Sequence, residues 1–139
     1  MLILLDTMEI LQILVSPSHT ILKEGIDKGT IKTIASAITL TEIYKIIGKK
    51  SEEEAKKIVR EIMVSNIEIK PADYRVCVKA GEIRLHYDIP TADALIAATG
   101  MVNNASHILT TDQHFQSIKK LIKPISIKEL KKIGKLTKL

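Results

Sequence analysis

Two hydrophobic patterns alternate along the chain. Short apolar runs predict strands, and apolar residues at every third or fourth position predict helices. The run Leu2–Leu5 is fully apolar, as in a strand that is buried on both faces of a parallel sheet. Segment 8–15 instead places apolar residues every three or four positions, which is typical of a helix. The same patterns predict strands over 2–5, 31–36, 67–70, 107–109 and 124–127. They predict helices over 8–15, 18–28, 39–47, 51–64, 72–87, 91–102 and 112–118.

The alternation of five short strands with helices predicts one α/β domain over residues 1–139, built on a mostly parallel sheet. No apolar run approaches the ~20 residues that a membrane helix needs. The one cysteine excludes an intrachain disulfide, so we expect a soluble cytoplasmic protein. Cys77 is expected to be a small core residue. The residues expected near the buried side of the helix over 72–87 are Tyr74, Cys77, Val78 and Leu85.

Positive charge is concentrated at one end of the chain. The formal net charge is +5, yet segment 119–139 holds eight lysines against the single acid Glu129. Residues 128–139 are interpreted as a lysine-rich C-terminal tail, which could bind phosphate groups or simply keep the chain end solvated. Aromatic residues make up 3% of the chain, which argues against recognition of nucleic acid by base stacking.

Four acids stand where a predicted strand or loop gives way to a helix, namely Asp6, Glu42, Asp93 and Asp112. Parallel strands end along one edge of a sheet, so acids that are distant in sequence can meet there. Each acid taken alone could simply cap a helix. Two carboxylates ~4 Å apart repel by ~4 kcal/mol at an effective dielectric of about 20, so a cluster of four needs protons or a cation. Carboxylate oxygens suit Mg²⁺ or Mn²⁺, which activate water and stabilise charge on a phosphate.

The segments around these acids resemble the PIN-domain family, which includes the VapC-type toxins of toxin–antitoxin pairs. The matching segments are LLDT at 4–7, ITLTE at 38–42, ADALIAAT at 92–99 and LTTDxxF at 109–115. The resemblance implies a three-layer α/β/α fold with sheet order 3-2-1-4-5. It also implies a Mg²⁺- or Mn²⁺-dependent endoribonuclease that hydrolyses RNA phosphodiester bonds. It assigns the four acids as metal ligands and catalytic residues, and Thr110 as the hydroxyl that orients the last acid.

The same resemblance implies two protein partners, an antitoxin and a second copy of the chain. The apolar segment 10–15 is the candidate surface for a partner. Lys49, Lys50 and Arg84 are candidate RNA contacts, and His114 is expected to be a surface residue.

The chain departs from the family at Met8, where a small polar residue is usual near the metal waters. Methionine cannot donate a hydrogen bond, so this departure keeps a non-catalytic or weakly active RNA-binding or regulatory protein as an alternative function. An RNA-processing nuclease without an antitoxin is a further alternative.

Overall fold

The computed structural model describes residues 1–133, which contain five strands and seven α-helices. The strands are β1 (Leu2–Leu5), β2 (Lys32–Ser36), β3 (Glu68–Lys70), β4 (His107–Leu109) and β5 (Lys123–Ile125). The α-helices are α1 (Thr7–Val15), α2 (Thr20–Lys28), α3 (Ala37–Gly48), α4 (Glu52–Val64), α5 (Tyr74–His86), α6 (Thr91–Val102) and α7 (Ile127–Lys132). Short 3₁₀ segments cover Pro17–His19 and Gln113–Ile118. None of the helices in this part of the chain is long and apolar enough to cross a membrane.

The five strands form one sheet in the order β3-β2-β1-β4-β5, and every neighbouring pair is parallel. β1 is the central strand, with Leu4 level with Ile34 of β2 on one side and with Ile108 of β4 on the other. All five strands therefore end at the same edge, which we call the carboxyl edge, and begin at the opposite one, the amino edge. The predicted fold class and strand order are confirmed.

Helices cover both faces of the sheet, which makes three layers. Side chains alternate between the faces along β1. Ile3 and Leu5 lie in a core with residues of α1 to α4 and α7, whereas Leu4 lies in a second core with residues of α5 and α6. Both cores are built mainly from aliphatic side chains, and the one phenylalanine, Phe115, is fully buried in the second.

At the carboxyl edge, two strands pass directly into helices, and a polar residue at each junction caps the helix that begins there. Asp6 directly follows β1 and caps α1 by accepting a hydrogen bond from the Thr7 N–H at 2.8 Å. Ser36 is the last residue of β2, and its hydroxyl accepts from the Ile38 N–H at 3.1 Å to cap α3. Side chains with polar atoms are therefore held rigidly at this edge, because they complete the first turns of helices.

Gly100 lets α6 lie directly against the sheet. A Cβ atom at this position would stand 2.7 Å from Ile122 Cδ1 and 2.8 Å from Leu4 Cδ2, closer than carbon atoms can pack. The glycine is fully inside α6, where it costs about 1 kcal/mol relative to alanine. The close contact between α6 and β1 thus accounts for a residue that lowers helix propensity.

α5 buries the face opposite to the predicted one. Its buried residues are Val76, Ala80 and Ile83. The predictions for the buried side of this helix, and for Cys77 as a core residue, are wrong, because apolar residues occur on both faces and periodicity alone does not decide which face meets the sheet. The residues that are exposed instead are Tyr74, Cys77, Val78 and Leu85.

The lysine-rich C-terminal segment begins with a helix that the sequence analysis did not predict. β5 ends at Ile125, two residues earlier than predicted, and Ser126 starts α7 with a capping box in which the Ser126 and Glu129 side chains each bond the other residue's backbone N–H. Leu130 of α7 is fully buried. Residues 128–132 are therefore packed against the domain, and residues 134–139 of the predicted tail lie outside the described part of the chain.

Candidate metal centre

A pocket of about 160 Å³ opens at the carboxyl edge of the sheet, and all four predicted acids line it. They reach it from separate parts of the chain: the end of β1, the middle of α3, the first turn of α6 and the turn after β4. The parallel topology brings them together. The complete lining is Asp6, Thr7, Met8, Glu42, Ile46, Asp93, Thr111 and Asp112.

Asp6 forms the floor of the pocket and is 8% exposed. One of its oxygens accepts from the Thr7 N–H, and the other accepts from the Thr110 hydroxyl at 2.6 Å. The Thr110 oxygen in turn accepts from the Asp112 N–H at 3.0 Å. Thr110 was predicted to orient the carboxylate of Asp112; the structure instead has it hold the carboxylate of Asp6 and the backbone of Asp112.

Glu42 is held from the opposite side by the first residue of α1. The Thr7 hydroxyl donates to Glu42 Oε1 and lies 3.2 Å from Thr39 Oγ1. Glu42 sits in the middle of α3, whose cap is Ser36, so the alternative interpretation of Glu42 as part of a helix cap does not apply. This contact ties α1 to α3 and fixes the side chain at the pocket wall.

Asp93 and Asp112 share a histidine. His114 Nδ1 lies 2.8 Å from Asp93 Oδ2 and 3.2 Å from Asp112 Oδ1. One possible ligand atom from each of these three residues lies within 4.8 Å of the others. The His114 side chain is 54% exposed, so its predicted place at the surface is correct, but its pairing with two acids was missed. The contact depends on the turn after β4, where Asp112 Oδ1 accepts a hydrogen bond from the His114 N–H at 2.9 Å and directs the ring towards the pocket.

The electrostatics of the pocket favour neutralisation of its carboxylates, either by protons or by a bound cation. Burial raises the pKa of Asp6 to about 6, and the charges of Asp93 and Asp112 add to the rise, while hydrogen bonds from Thr110 and the backbone oppose it. Burial also raises the pKa of Asp93, while the hydrogen bond from His114 opposes this rise. That same hydrogen bond raises the pKa of the His114 imidazole. The pocket therefore attracts positive charge, because its acids are short of solvent and close to one another.

The residues present fit a divalent cation of the hard or borderline kind. Asp6, Glu42, Asp93 and Asp112 offer carboxylate oxygens, which Mg²⁺ and Mn²⁺ prefer. His114 adds one imidazole nitrogen at the rim, a donor that first-row transition ions accept more readily than Mg²⁺ does. Four acids lie close together in this pocket, and the pKa of one of them, Asp6, is raised to about 6. A bound cation would offset the repulsion between their carboxylates.

Two apolar side chains complete the pocket wall, and one of them is Met8, where the sequence departs from the PIN-domain pattern that it resembles. Met8 is 50% exposed and Ile46 is 41% exposed, so both lie at the rim rather than among the acids. Glu9, the residue after Met8, does not line the pocket. It is buried, with Oε2 3.3 Å from His19 Nε2.

The candidate RNA contacts lie outside the pocket lining. Lys49 and Lys50 are exposed directly after α3, the helix that carries Glu42. Arg84 is exposed on α5, and its Nε donates to the Ile89 carbonyl at 3.2 Å. Their contact with RNA stays a prediction.

The fold and the pocket define a class of protein: a three-layer parallel α/β/α domain with a carboxylate cluster at the carboxyl edge of its sheet. The family model of the PIN domain matches residues 3–121, and the chain belongs to the PIN domain family.

Solved structures with the same fold come from several bacteria. VapBC2 from Rickettsia felis, solved with a DNA fragment from the promoter, matches with a TM-score of 0.73 at 24% identity, over 91% of this chain and 98% of the other. DNA-bound VapBC from Salmonella typhimurium matches with a TM-score of 0.69 at 20% identity, over 91% and 99% of the two chains. FitAcB from Neisseria gonorrhoeae matches with a TM-score of 0.66 at 20% identity, over 90% of this chain and 97% of the other. No curated protein sequence gives a significant match.

Proposed function

We propose that this chain is a Mg²⁺- or Mn²⁺-dependent endoribonuclease and the toxin of a toxin–antitoxin pair. The observation that carries the proposal is the meeting of four carboxylates, from four separate chain segments, in one pocket at the carboxyl edge. Helix capping accounts for Asp6 and Asp112, but it accounts for neither Glu42 nor Asp93. Glu42, in the middle of α3, therefore has no structural task in its own helix, and Asp93, although it lies in the favourable first turn of α6, makes no capping hydrogen bond there.

In this proposal Asp6, Glu42, Asp93 and Asp112 hold the cation, and each has a supported orientation. Thr110 fixes Asp6, Thr7 fixes Glu42, and His114 contacts the other two acids. The bound ion supplies an activated water and neutralises charge that grows on the phosphate. The pocket is only about 160 Å³, which fits one phosphate and its neighbouring atoms, so most of an RNA substrate would lie across the surface around it.

The choice of RNA and of a cytoplasmic toxin rests on the family and on its similar structures. The similar structures include VapBC complexes of toxin–antitoxin systems, which supports an antitoxin as the partner of this chain. Lys49 and Lys50, exposed beyond α3, are the proposed contacts for the RNA backbone. Self-association into a homodimer is part of the same proposal.

The direct test is cleavage of an RNA with Mg²⁺ or Mn²⁺ by three proteins: the unaltered chain, Asp93→Asn, and Glu82→Gln as a matched removal of an exposed acid far along the neighbouring helix. We expect cleavage that EDTA abolishes, a loss of at least about a hundredfold in Asp93→Asn, and no change in Glu82→Gln. Equal cleavage by all three proteins, with and without EDTA, would refute a metal-dependent nuclease.

One observation favours the second candidate, a non-catalytic RNA-binding protein. Met8 lines the pocket and cannot donate a hydrogen bond to a metal-bound water. The two functions differ in what RNA binding requires. A binding module should retain RNA equally well with Mn²⁺ and with EDTA and should show no cleavage. Met8→Ser separates them further, because restoring a small polar residue should increase cleavage by a nuclease and should leave a binding module unchanged.

A further inference from the structure

A second cavity, with a polar lining, lies beside the metal pocket, and the two cavities share one wall. It measures about 260 Å³ and lies between the turn after β4 on one side and the end of β5 and the start of α7 on the other. Thr111 lines both cavities. Of the next two residues, Asp112 lines the metal pocket and Gln113 lines the second cavity, which we call the glutamine cavity. A ligand that extends across Thr111 would therefore occupy both.

The 3₁₀ segment after β4 explains why two glutamines line this cavity. A 3₁₀-helix has three residues per turn, so side chains three positions apart lie one above the other. Phe115 and Ile118 form one such row, and both are fully buried, which fixes the segment on the core. Gln113 and Gln116 form the neighbouring row, and both line the cavity. The two amides are therefore presented side by side by a segment whose own position is set by buried side chains.

The two glutamine side chains are available to a ligand. Both residues are exposed, and neither side chain makes a hydrogen bond within the part of the chain that the structure describes. A primary amide offers a carbonyl acceptor beside N–H donors, which matches the amino group and the ring nitrogen of adenine. Within residues 1–133 no aromatic side chain lines the cavity. A base bound there would therefore be recognised by hydrogen bonds to its edge rather than by stacking.

Positive charge surrounds the far wall of the glutamine cavity. Segment 119–132 supplies that wall and contains six lysines against one acid, Glu129. The lysines that form ion pairs within residues 1–133 are Lys23, Lys70 and Lys79, all of them outside this segment. Lysines that no acid neutralises attract the phosphates of a nucleic-acid strand. A strand with one phosphate in the acidic metal pocket is therefore favoured where it continues towards this wall.

We propose that the glutamine cavity binds the base of the nucleotide next to the phosphate in the metal pocket, and that Gln113 and Gln116 select adenine there. This proposal rests on the proposed function, because it takes RNA as the substrate, and it adds the residues that determine where the RNA is cut. Neither glutamine lines the metal pocket. Their removal should therefore change which sequence is cut and leave the metal site in place.

The first experiment digests a pool of RNAs that carry a randomised segment, in the presence of Mn²⁺, and sequences the new ends. We expect adenine to be enriched about tenfold at one position beside the cut. The double variant Gln113→Ala/Gln116→Ala should still cleave but should lose this enrichment. The matched control is Gln12→Ala, which removes an exposed glutamine of α1 and should keep the enrichment. Cleavage without a base preference, or a preference that survives in the double variant, contradicts the proposal.

The second experiment measures RNA binding without cleavage, so its result does not depend on the nuclease. In the Asp93→Asn background with Mn²⁺, fluorescence anisotropy gives the dissociation constants of short labelled oligo(A) and oligo(U). We expect oligo(A) to bind about tenfold more tightly, and we expect the added double variant, but not added Gln12→Ala, to remove the difference. Equal binding of the two RNAs before the glutamines are removed would overturn the adenine subsite. A preference for oligo(A) in a chain that cleaves no RNA would refute the nuclease and support the subsite.

Discussion

The two edges of the sheet each hold a cavity, and the larger cavity is the less suited to metal binding or catalysis. At the amino edge a cavity of about 340 Å³ is lined by residues that include one lysine, Lys32, and one acid, Glu68. At the carboxyl edge the pocket measures about 160 Å³ and is lined by four acids. The first has balanced charge, whereas the second concentrates charge of one sign where solvent access is poor.

Crowded charge, rather than the volume of the cavity, distinguishes the candidate site. Asp6 has a pKa of about 6 because its environment disfavours the ionised form. A folded protein that keeps such a group loses stability at neutral pH unless something positive binds to it. A cavity without this cost, such as the one beside Glu68, is compatible with ordinary imperfect packing.

The largest expected contrast between the edges is in metal binding. Asp6→Asn should weaken binding of Mn²⁺, measured by isothermal titration calorimetry, by more than the roughly 10- to 100-fold that loss of a merely supporting residue costs. Glu68→Gln at the amino edge should leave the Mn²⁺ affinity unchanged. If Glu68→Gln weakens Mn²⁺ binding as much as Asp6→Asn does, the comparison of the two edges is wrong.

The second contrast is in stability without metal. The raised pKa of Asp6 costs no stability well below its ordinary value of 3.8, costs progressively more as the pH rises from there towards 6, and costs its full amount above pH 6. Asp6→Asn should therefore raise the free energy of unfolding in EDTA by about 1–2 kcal/mol at pH 7.5, after allowance for a weakened bond to Thr110. At pH 4 most of the gain should be lost. Urea unfolding at the two pH values measures it, and a loss of stability at pH 7.5 would contradict the assigned pKa.

The smallest contrast compares two buried threonines, one near each edge. Thr110 donates to Asp6, whereas the hydroxyl of Thr33 is buried and has no hydrogen-bond partner among residues 1–133. Thr110→Val should raise the pKa of Asp6 further and weaken Mn²⁺ binding at pH 6.5 by about tenfold. Thr33→Val should leave Mn²⁺ binding unchanged and should be neutral or stabilising towards urea. Equal effects of the two variants on Mn²⁺ affinity would remove Thr110 from the site.

The sequence was sufficient for the strand order, through the resemblance of four short segments to the PIN-domain family, and for the meeting of the four acids. Asp6, Glu42 and Asp112 lie just after a strand or in the helix after one, and Asp93 lies at the start of α6, which follows another helix. Parallel topology then brings such positions to one edge of the sheet. His114 could not be found in this way, because its contact with Asp93 joins residues 21 positions apart and depends on how the turn after Asp112 directs the ring.

The errors at α5 and α7 have a different origin. In α5 both faces are apolar, so the choice between Val76 and Val78 as the buried residue depends on which face the sheet meets. In α7 the capping box at Ser126 is a local signal of a helix start, but the surrounding lysines favoured the interpretation as a solvated tail. Leu130 is buried in the first core and Ile127 packs against it, and these two side chains dock that helix on the domain.

Gly100 bears on the candidate metal centre although it lies outside the pocket. It lies in the same helix as Asp93 and rests on β1, the strand that leads into Asp6. A Cβ at position 100 would press on the tips of the Leu4 and Ile122 side chains, which would have to move before α6 could keep its place against β1. The separation of the Asp6 and Asp93 carboxylates therefore depends in part on the absence of a side chain seven residues away from Asp93.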